Sequence, residues 1–336
     1  MKTKLLLLFL TLFVCCCCFS QKKIEKAKNV KNQKNYEIGS EIYRDRMREL
    51  IREIKRNTSN DKLLITQNGN ELYFYKGEMN KEFFNVTDGT TQESLYYGAG
   101  FKLTNPTPGK ENEQLLNWLL PIRKAGKPVF AINYGIGEKA RADLLKKSVQ
   151  TNFVNELLPS FGAEMPYVPI QNFNSRNINL LSDVKNFLVL LDPKKFKDID
   201  AFFEYLKETD YDLLLIEPSH SGKFMTKEQI SALKKKKNGG ARKVIAYFSI
   251  GEAGDYRNYW KEEWNNENKR PSWIVEENPD WKGDFIVKYW SNEWKQIVKD
   301  YQKKLDEIDV DGYLLDTVDT YYKFEDKSEK TGNLID

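Results

Sequence analysis

Histidine and cysteine are nearly absent from this sequence. Its 336 residues contain one histidine, His220, and four cysteines that follow one another as Cys15 to Cys18. Multi-histidine metal sites, CxxC zinc sites and Ser-His-Asp enzymes with a second histidine are therefore not expected. With 53 basic and 49 acidic residues, the charge balance does not indicate a nucleic-acid-binding surface. Any chemistry must use carboxylates, amides, hydroxyls and aromatic rings, so we expect no metal or cofactor.

Long hydrophobic runs are also scarce, and the one at the N-terminus is typical of an export signal. Two lysines precede ten apolar residues at 5–14, and the small residues Cys18 and Ser20 suit cleavage before Gln21. Ten apolar residues are too few to span a bilayer. We therefore expect residues 1–20 to be removed and the protein to be extracellular or in the cell envelope, without stable membrane insertion. A lipid anchor on one of the cysteines is the alternative, although large side chains precede them.

The residues from 40 to 326 predict a single (β/α)8 domain, preceded by a flexible linker at 21–39 and followed by a tail at 327–336. Apolar runs alternate with amphipathic helical stretches such as 41–56 and 292–306. Such continuous runs are typical of parallel strands buried on both faces, and eight of them fit a (β/α)8 barrel. An open doubly wound sheet is the alternative. The predicted strands are 63–66, 83–86, 129–132, 187–191, 213–216, 244–248, 285–287 and 312–315.

Seven of these eight predicted strands end in hydrogen-bonding side chains. In a barrel, the carboxyl ends of the strands meet on the face where active sites lie. One strand ending in an acid would be ordinary turn chemistry, but the repetition predicts a site. The strand-end candidates are Gln67, Asn68, Asp88, Glu93, Asn133, Tyr134, Asp192, Glu217, Ser249, Glu252, Asp316 and Asp319.

Three motifs in the second half carry a family resemblance. They are SIGEAGDYRNYW at 249–260, NPDWKG followed by VKYW at 278–290, and DGYLLDTVD at 311–319. Together they resemble the endo-α-1,4-polygalactosaminidase family of glycoside hydrolases, in its bacterial extracellular branch. The resemblance implies a secreted retaining endo-glycosidase that degrades an amino-sugar (galactosamine-type) exopolysaccharide on a TIM barrel.

Two motifs in the first half resemble the same family in a different order. Residues 65–72 and 88–98 look like the family's sixth and seventh strand ends, which there follow the DGYLLDTVD strand. We therefore expect a circular permutation, in which 186–326 supply strands one to five and 40–135 strands six to eight. Residues 136–185 would connect the two parts. The alternative is that only one half matches and the other is an unrelated domain.

The resemblance also implies the catalytic pair. Glycosidic cleavage uses two carboxyl groups, and without a suitable histidine a carboxyl must donate the proton. Matched by motif, the family's catalytic Asp and Glu fall on Asp316 and Glu93. We expect Asp316 to be the nucleophile and Glu93 the acid/base. The motifs specify the pair more clearly than they specify which carboxyl has which role.

Further residues are expected to bind the saccharide. Amides suit sugar hydroxyls, carboxylates would attract a cationic amino sugar, and aromatic rings can stack on pyranoses or simply pack in the core. For Glu252 and Arg257, an ion pair that shapes the site and direct contact with the substrate are both open interpretations. Glu217 stands where relatives commonly have Asp. These predicted substrate-binding residues are Gln67, Asn68, Asp88, Tyr134, Glu217, Tyr247, Glu252, Arg257, Trp260, Trp290 and Asp319. The rival interpretations are a non-catalytic saccharide-binding module on a degenerate barrel and a cell-surface scaffold.

Overall fold

The computed structural model describes residues 35–59, 61–161 and 169–336. The predicted export signal, and the predicted linker up to residue 34, lie outside this part of the chain. The chain divides into two compact units, of which residues 41–321 form the larger. In the described part of the smaller unit, Asn35 and Asn333 form an antiparallel bridge. No helix in the described ranges is long and apolar enough to cross a membrane.

Eight parallel strands form a nearly closed barrel in the larger unit. Their hydrogen-bonded order is β4-β3-β2-β1-β8-β7-β6-β5, and the last strand pairs directly with the first. The edge strands β4 and β5 contact each other without a hydrogen-bonded ladder. The (β/α)8 prediction is therefore confirmed. The strands are β1 (Leu63–Gln67), β2 (Gly89–Glu93), β3 (Val129–Tyr134), β4 (Val154–Leu158), β5 (Phe187–Leu190), β6 (Leu213–Ile216), β7 (Lys243–Ser249) and β8 (Gly312–Asp316).

Helices connect consecutive barrel strands except between β4 and β5, where the described residues 159–161 and 169–186 contain one short 3-10 helix. Helix α1 buries Tyr43, Met47, Leu50 and Ile54 on one face, as its apolar spacing predicts. The helices are α1 (Ile42–Asn57), α2 (Lys81–Val86), α3 (Gly109–Lys124), α4 (Glu138–Thr151), α5 (Ile199–Lys207), α6 (Lys227–Leu233), α7 (Asn292–Glu307) and α8 (Tyr321–Thr331). The 3-10 helices are Asn70–Tyr73, Ala99–Phe101, Leu181–Asp183, Pro193–Lys195, Glu262–Asn265, Glu267–Lys269 and Val318–Thr320.

A small antiparallel sheet lies in the connection between β7 and α7. Its strands are Glu252–Gly254, Ile274–Glu277 and Asp284–Val287, with the last in the centre. The run 285–287, predicted as a barrel strand, therefore belongs to this second sheet, because a short apolar run does not specify its pairing partner. Two hairpins complete the strands, Phe74–Tyr75 with Glu78–Met79 and Ser219–His220 with Lys223–Phe224.

The predicted strand 83–86 is wrong, because these residues form helix α2. The side chain of Asn80 accepts a hydrogen bond of 3.0 Å from the Phe83 amide, which caps the helix at its N-terminus. Phe83 is buried on the helix's inner face. The barrel strand begins only at Gly89, in the polar sequence GTTQE.

The predicted connecting segment 136–185 contains both helix α4 and barrel strand β4. Asn155 and Glu156 interrupt the apolar run of this strand, so the hydrophobic pattern did not reveal it. Because 285–287 lies outside the barrel and 154–158 lies inside it, each half of the chain supplies four barrel strands. The predicted division into five and three strands is thereby corrected.

The barrel interior is packed with side chains, and its amino end is closed by residues 178–184. Leu181 Cδ1 lies 3.5 Å from where a Cβ of Gly89 would stand, at the start of β2. The polar strand ends lie at the opposite, carboxyl end of the barrel. The interior cluster comprises Ile65, Phe130, Ile132, Tyr134, Leu158, Ile178, Leu181, Val184, Phe187, Val189, Leu213, Leu215, Ile245 and Leu314.

Candidate active site

Asp316 is the last residue of β8, and a tight loop fixes its carboxyl. The next residue, Thr317, has a left-handed backbone (φ 58°), and its amide donates to Asp316 Oδ1 over 2.7 Å. The Gly251 amide donates to Thr317 Oγ1 over 2.7 Å, and a Cβ at Gly251 would lie 2.1 Å from the Thr317 carbonyl oxygen. Only glycine fits there, so the SIGEAG motif holds the Asp316 loop from the side of β7.

Glu93 is the last residue of β2, and two neighbouring strand ends donate hydrogen bonds to its carboxyl. Asn68 Nδ2 donates to Glu93 Oε2 over 3.1 Å, and the Tyr134 hydroxyl donates to Glu93 Oε1. Asn68 Oδ1 also accepts from the Glu93 amide over 3.0 Å and from Gln92 Nε2 over 3.2 Å. The side-chain amide of Asn68, which was predicted to bind sugar hydroxyls, therefore positions Glu93.

The two predicted catalytic carboxyls influence each other electrostatically. Burial and, after it, the charge of Glu93 together raise the pKa of Asp316 to about 8, while a hydrogen bond from Tyr247 acts in the opposite direction. The charge of Asp319, three residues on, adds to the increase. Residues 223 positions apart in the chain thus share one site at the carboxyl end of the barrel.

Tyr134 and Tyr247 stand on the two sides of this pair. Tyr134 ends β3 beside Glu93, and Tyr247 lies in β7 beside Asp316. Burial raises the pKa of both phenols well above its usual range, and the adjacent carboxylates raise it further. Both tyrosines therefore remain hydrogen-bond donors to the carboxyls at any ordinary pH.

Arg257 forms an ion pair with Glu217, and not with Glu252 as one of the two interpretations of the sequence would have it. The Arg257 Nη1 to Glu217 Oε2 distance is 2.7 Å, and the same nitrogen donates to the Tyr301 hydroxyl over 2.8 Å. The Glu252 carboxylate instead accepts a bond of 2.9 Å from Asn278 Nδ2. Tyr301, which sequence reasoning missed, lies on helix α7 and carried no motif signal.

The Arg257 guanidinium also extends the site toward Asp316. It lies 5.6 Å from the centre of the Tyr247 ring, whose hydroxyl donates a hydrogen bond to Asp316.

Gln67 is the last residue of β1. Its side chain is buried and accepts a 3.4 Å hydrogen bond from Thr91 Oγ1. Across residues 35–59, 61–161 and 169–336, no cluster of three His, Cys, Asp or Glu side chains could hold a metal ion.

Asp88 does not belong to this site. It precedes the first residue of β2, where its Oδ2 accepts a 2.9 Å bond from the Leu64 amide and lies 3.8 Å from Lys55 Nζ. Leu64 is at the amino end of β1, so Asp88 lies at the end of the barrel opposite to Asp316 and Glu93. The prediction failed because 83–86 was taken as the strand, which put Asp88 at its carboxyl end.

The two tryptophans predicted to line the cleft pack against other side chains. The Trp260 ring stacks on Phe285 of the antiparallel sheet, with 4.7 Å between centroids. Trp290 packs against Tyr43 of helix α1 at 5.5 Å, and the Arg46 guanidinium lies 4.2 Å from its ring centre. Because both rings pack against neighbouring side chains, these contacts do not support the prediction that Trp260 and Trp290 stack on sugars.

Comparison with known proteins finds sequence similarity in part of the chain. Residues 204–335 match the model of glycoside-hydrolase family GH114. An uncharacterized protein of Methanocaldococcus jannaschii is 37% identical over 153 residues, which are 44% of this chain and 41% of that protein. One of Thermotoga maritima is 46% identical over 77 residues, 23% of each chain. The solved structure of Aspergillus fumigatus Ega3 in complex with galactosamine overlaps 37% of this chain and 51% of its own, at 20% identity and a TM-score of 0.26.

A (β/α)8 barrel that presents two interacting carboxyls at its carboxyl face is an architecture of glycoside hydrolases. The match to the model of glycoside-hydrolase family GH114 covers residues 204–335, about two fifths of this chain. The chain spans about two fifths of the length of the Methanocaldococcus jannaschii relative.

Proposed function

We propose that this protein is a secreted, retaining endo-glycosidase that cleaves a galactosamine-type polysaccharide, with Asp316 as nucleophile and Glu93 as acid/base. The observation that carries the proposal is the shared site: each carboxyl ends a different barrel strand, and the charge of Glu93 acts on Asp316. The match of residues 204–335 to the glycoside-hydrolase family model supports the reaction class, and the resemblance implies the amino sugar.

In the first step, the Asp316 carboxylate attacks the anomeric carbon while the Glu93 proton passes to the departing glycosidic oxygen. The bond from the anomeric carbon to that oxygen breaks, and an ester to Asp316 forms. In the second step, Glu93 takes a proton from water, and the hydroxide displaces Asp316 from the same carbon. The two inversions retain the configuration of the sugar.

In the substrate-free protein, burial and the charge of Glu93 keep Asp316 protonated at neutral pH. Attack by Asp316 requires its ionised form. An ammonium group on the sugar carbon next to the anomeric centre would favour ionised Asp316. We therefore propose that a cationic amino sugar promotes loss of the proton from Asp316 as it binds.

The test is the release of reducing ends from de-N-acetylated galactosamine polymer. Asp316→Asn and Glu93→Gln should each abolish it while the fold, followed by circular dichroism, is preserved. Asp88→Asn is the matched control, because it alters an acid at the opposite end of the Glu93 strand. Full activity in either catalytic variant would reject the pair. Binding of the polymer without cleavage by the natural protein would instead favour the non-catalytic saccharide-binding module.

We also propose that the barrel is circularly permuted relative to the family. The pairing of β8 with β1 supports this, because it makes the last and first strands of the chain ordinary neighbours. The missing ladder between β4 and β5 falls where the family's order would begin and end. An alignment of residues 41–161 should match family members after their equivalent of β8. A lack of any match there would contradict the permutation.

Secretion is proposed from the N-terminal sequence. N-terminal sequencing of protein recovered from the culture medium should begin at Gln21. A blocked, lipid-modified cysteine would establish the anchored alternative, and an intact Met1 on intracellular protein would contradict export.

A further inference from the structure

A row of aromatic rings leads outward from the candidate catalytic pair. It begins at Tyr134, whose hydroxyl donates to Glu93, and continues through Phe161 at 4.3 Å between ring centroids. Phe101 follows at 5.7 Å from Phe161, and Trp281 at 5.6 Å from Phe101. We call Phe161, Phe101 and Trp281 the outer aromatic row.

The outer members of this row are exposed, unlike most large aromatic side chains near them. Phe101 is 59% and Trp281 48% accessible, whereas Trp264 and Trp273, in the same loop region as Trp281, are 6% and 4% accessible. Their mutual contact is edge to face, with an interplanar angle of 85°. Ring surface therefore stays open to solvent at both residues. Exposed aromatic surface that is continuous with a functional site marks a binding surface.

Local hydrogen bonds hold Trp281 in this exposed position. Its carbonyl accepts from the Asp284 amide over 3.1 Å, and the Gly283 amide donates to Glu277 Oε1 over 2.9 Å. Gly283 has a φ of 90°, which favours glycine in this turn. The indole is thus presented by an ordered hairpin at the edge of the antiparallel sheet.

Phe101 is held outward in an unfavourable backbone conformation. Its φ is 55°, a left-handed conformation that is unfavourable for a bulky side chain. The Asn105 side chain bonds the Ala99 carbonyl over 2.9 Å and the Gly98 amide donates to the Asn105 carbonyl over 2.8 Å, which fixes the loop. Backbone strain that persists in an ordered loop is typical of binding and catalytic segments.

The row is assembled from connections that follow three different strands. Phe101 follows β2, Phe161 follows β4, and Trp281 lies in the connection after β7. All three therefore belong to the carboxyl face that carries Asp316 and Glu93. The Trp281 segment 277–284 contains three acids and one lysine, so its charge is complementary to a cationic sugar.

We infer that Phe101 and Trp281 form a distal saccharide subsite, which binds units of the polymer beyond the bond that is cleaved. This inference rests on the proposed function and specifies that the substrate is a chain rather than a single sugar. The apolar face of a pyranose would stack on the open ring surface, and ammonium groups would gain cation–π contacts with the indole. Subsites at a distance from the reacting bond are what an enzyme acting within a polymer requires.

The test compares a polymer with a short substrate in the full chain. Trp281→Ala, Phe101→Ala and the double variant should raise KM for de-N-acetylated galactosamine polymer by about tenfold, with kcat nearly unchanged. On the shortest oligosaccharide that the natural protein cleaves, the same variants should behave as the natural protein does. Tyr75→Ala is the matched control, because Tyr75 is 43% accessible and contacts the side chains of Arg48 and Lys76.

Equal losses on polymer and short substrate would overturn the distal subsite, and so would unchanged KM on the polymer. If the natural protein releases no reducing ends, the proposed function fails. The distal subsite is then tested separately, by measuring binding of the polymer. Affinity electrophoresis in the polymer should then show binding by the natural protein that Trp281→Ala weakens about tenfold. Retention of full binding by this variant would contradict the subsite.

Discussion

Replacement of Asp316 by Asn is expected to stabilise the fold at neutral pH while it abolishes catalysis. In the folded protein Asp316 keeps its proton up to about pH 8, whereas its ordinary pKa is 3.8. Between these values the folded state binds one proton more than the unfolded state does. The stability of the natural protein therefore falls as pH rises through this range, by about 1.4 kcal/mol per pH unit.

Asn does not titrate and can keep the contact with the Thr317 amide, because its Oδ1 remains an acceptor. The stability advantage of Asp316→Asn should thus be near zero at pH 4 and reach at most about 4 kcal/mol at pH 7. Other titrating groups, such as the buried Glu156 with its pKa raised to about 8 by burial, are common to both proteins and cancel in the difference.

The assay is urea denaturation of both proteins at pH 5 and at pH 7.5, read by tryptophan fluorescence. The difference in unfolding free energy between the variant and the natural protein should grow with pH. A pH-independent difference, or a variant that is less stable at pH 7.5 than the natural protein, would refute a buried, protonated Asp316.

Two further predictions concern neighbouring contacts. Tyr134→Phe should lower kcat/KM for polymer about tenfold, since it removes a hydrogen bond to the Glu93 carboxyl. The temperature of thermal unfolding should change little, because the ring still packs on Phe161. Unchanged kinetics would contradict the role of the hydrogen bond between Tyr134 and Glu93. Lys236→Met should cost about 3–5 kcal/mol in urea denaturation, because its ammonium is fully buried against Asp212 at 2.8 Å. The control, Lys237→Met, breaks a solvent-exposed pair and should cost under about 1 kcal/mol; similar costs for both would contradict the buried pair.

The barrel class could be predicted from the sequence because most of its strands are continuous apolar runs. Strands β2 and β4 could not, since their polar residues are satisfied only by tertiary neighbours. Thr90 Oγ1, for example, donates to Asn70 Oδ1 over 2.7 Å inside the barrel wall. An apolar run such as 285–287 indicated a strand correctly, but its antiparallel partners lie in loops that carry no pattern of their own.

The candidate site shows the same division between local and tertiary information. Asp316 and Glu93 could be located because motifs and strand ends are local features of the sequence. The donor role of Asn68 toward Glu93 depends on the register between β1 and β2, in which Gln67 lies opposite Thr91. The ion pair between Arg257 and Glu217 joins loops after two different strands. Neither contact is visible before the strands are assembled.

Azide rescue addresses the roles of the two carboxyls most directly. The alanine variants of Asp316 and Glu93 would be incubated with polymer and sodium azide, and the glycosyl azides formed would be analysed by NMR. Asp316→Ala should yield the azide of inverted configuration, and Glu93→Ala the azide of retained configuration. If azide restored cleavage in neither variant, or if the two configurations were exchanged, the assignment of Asp316 as nucleophile and Glu93 as acid/base would be contradicted.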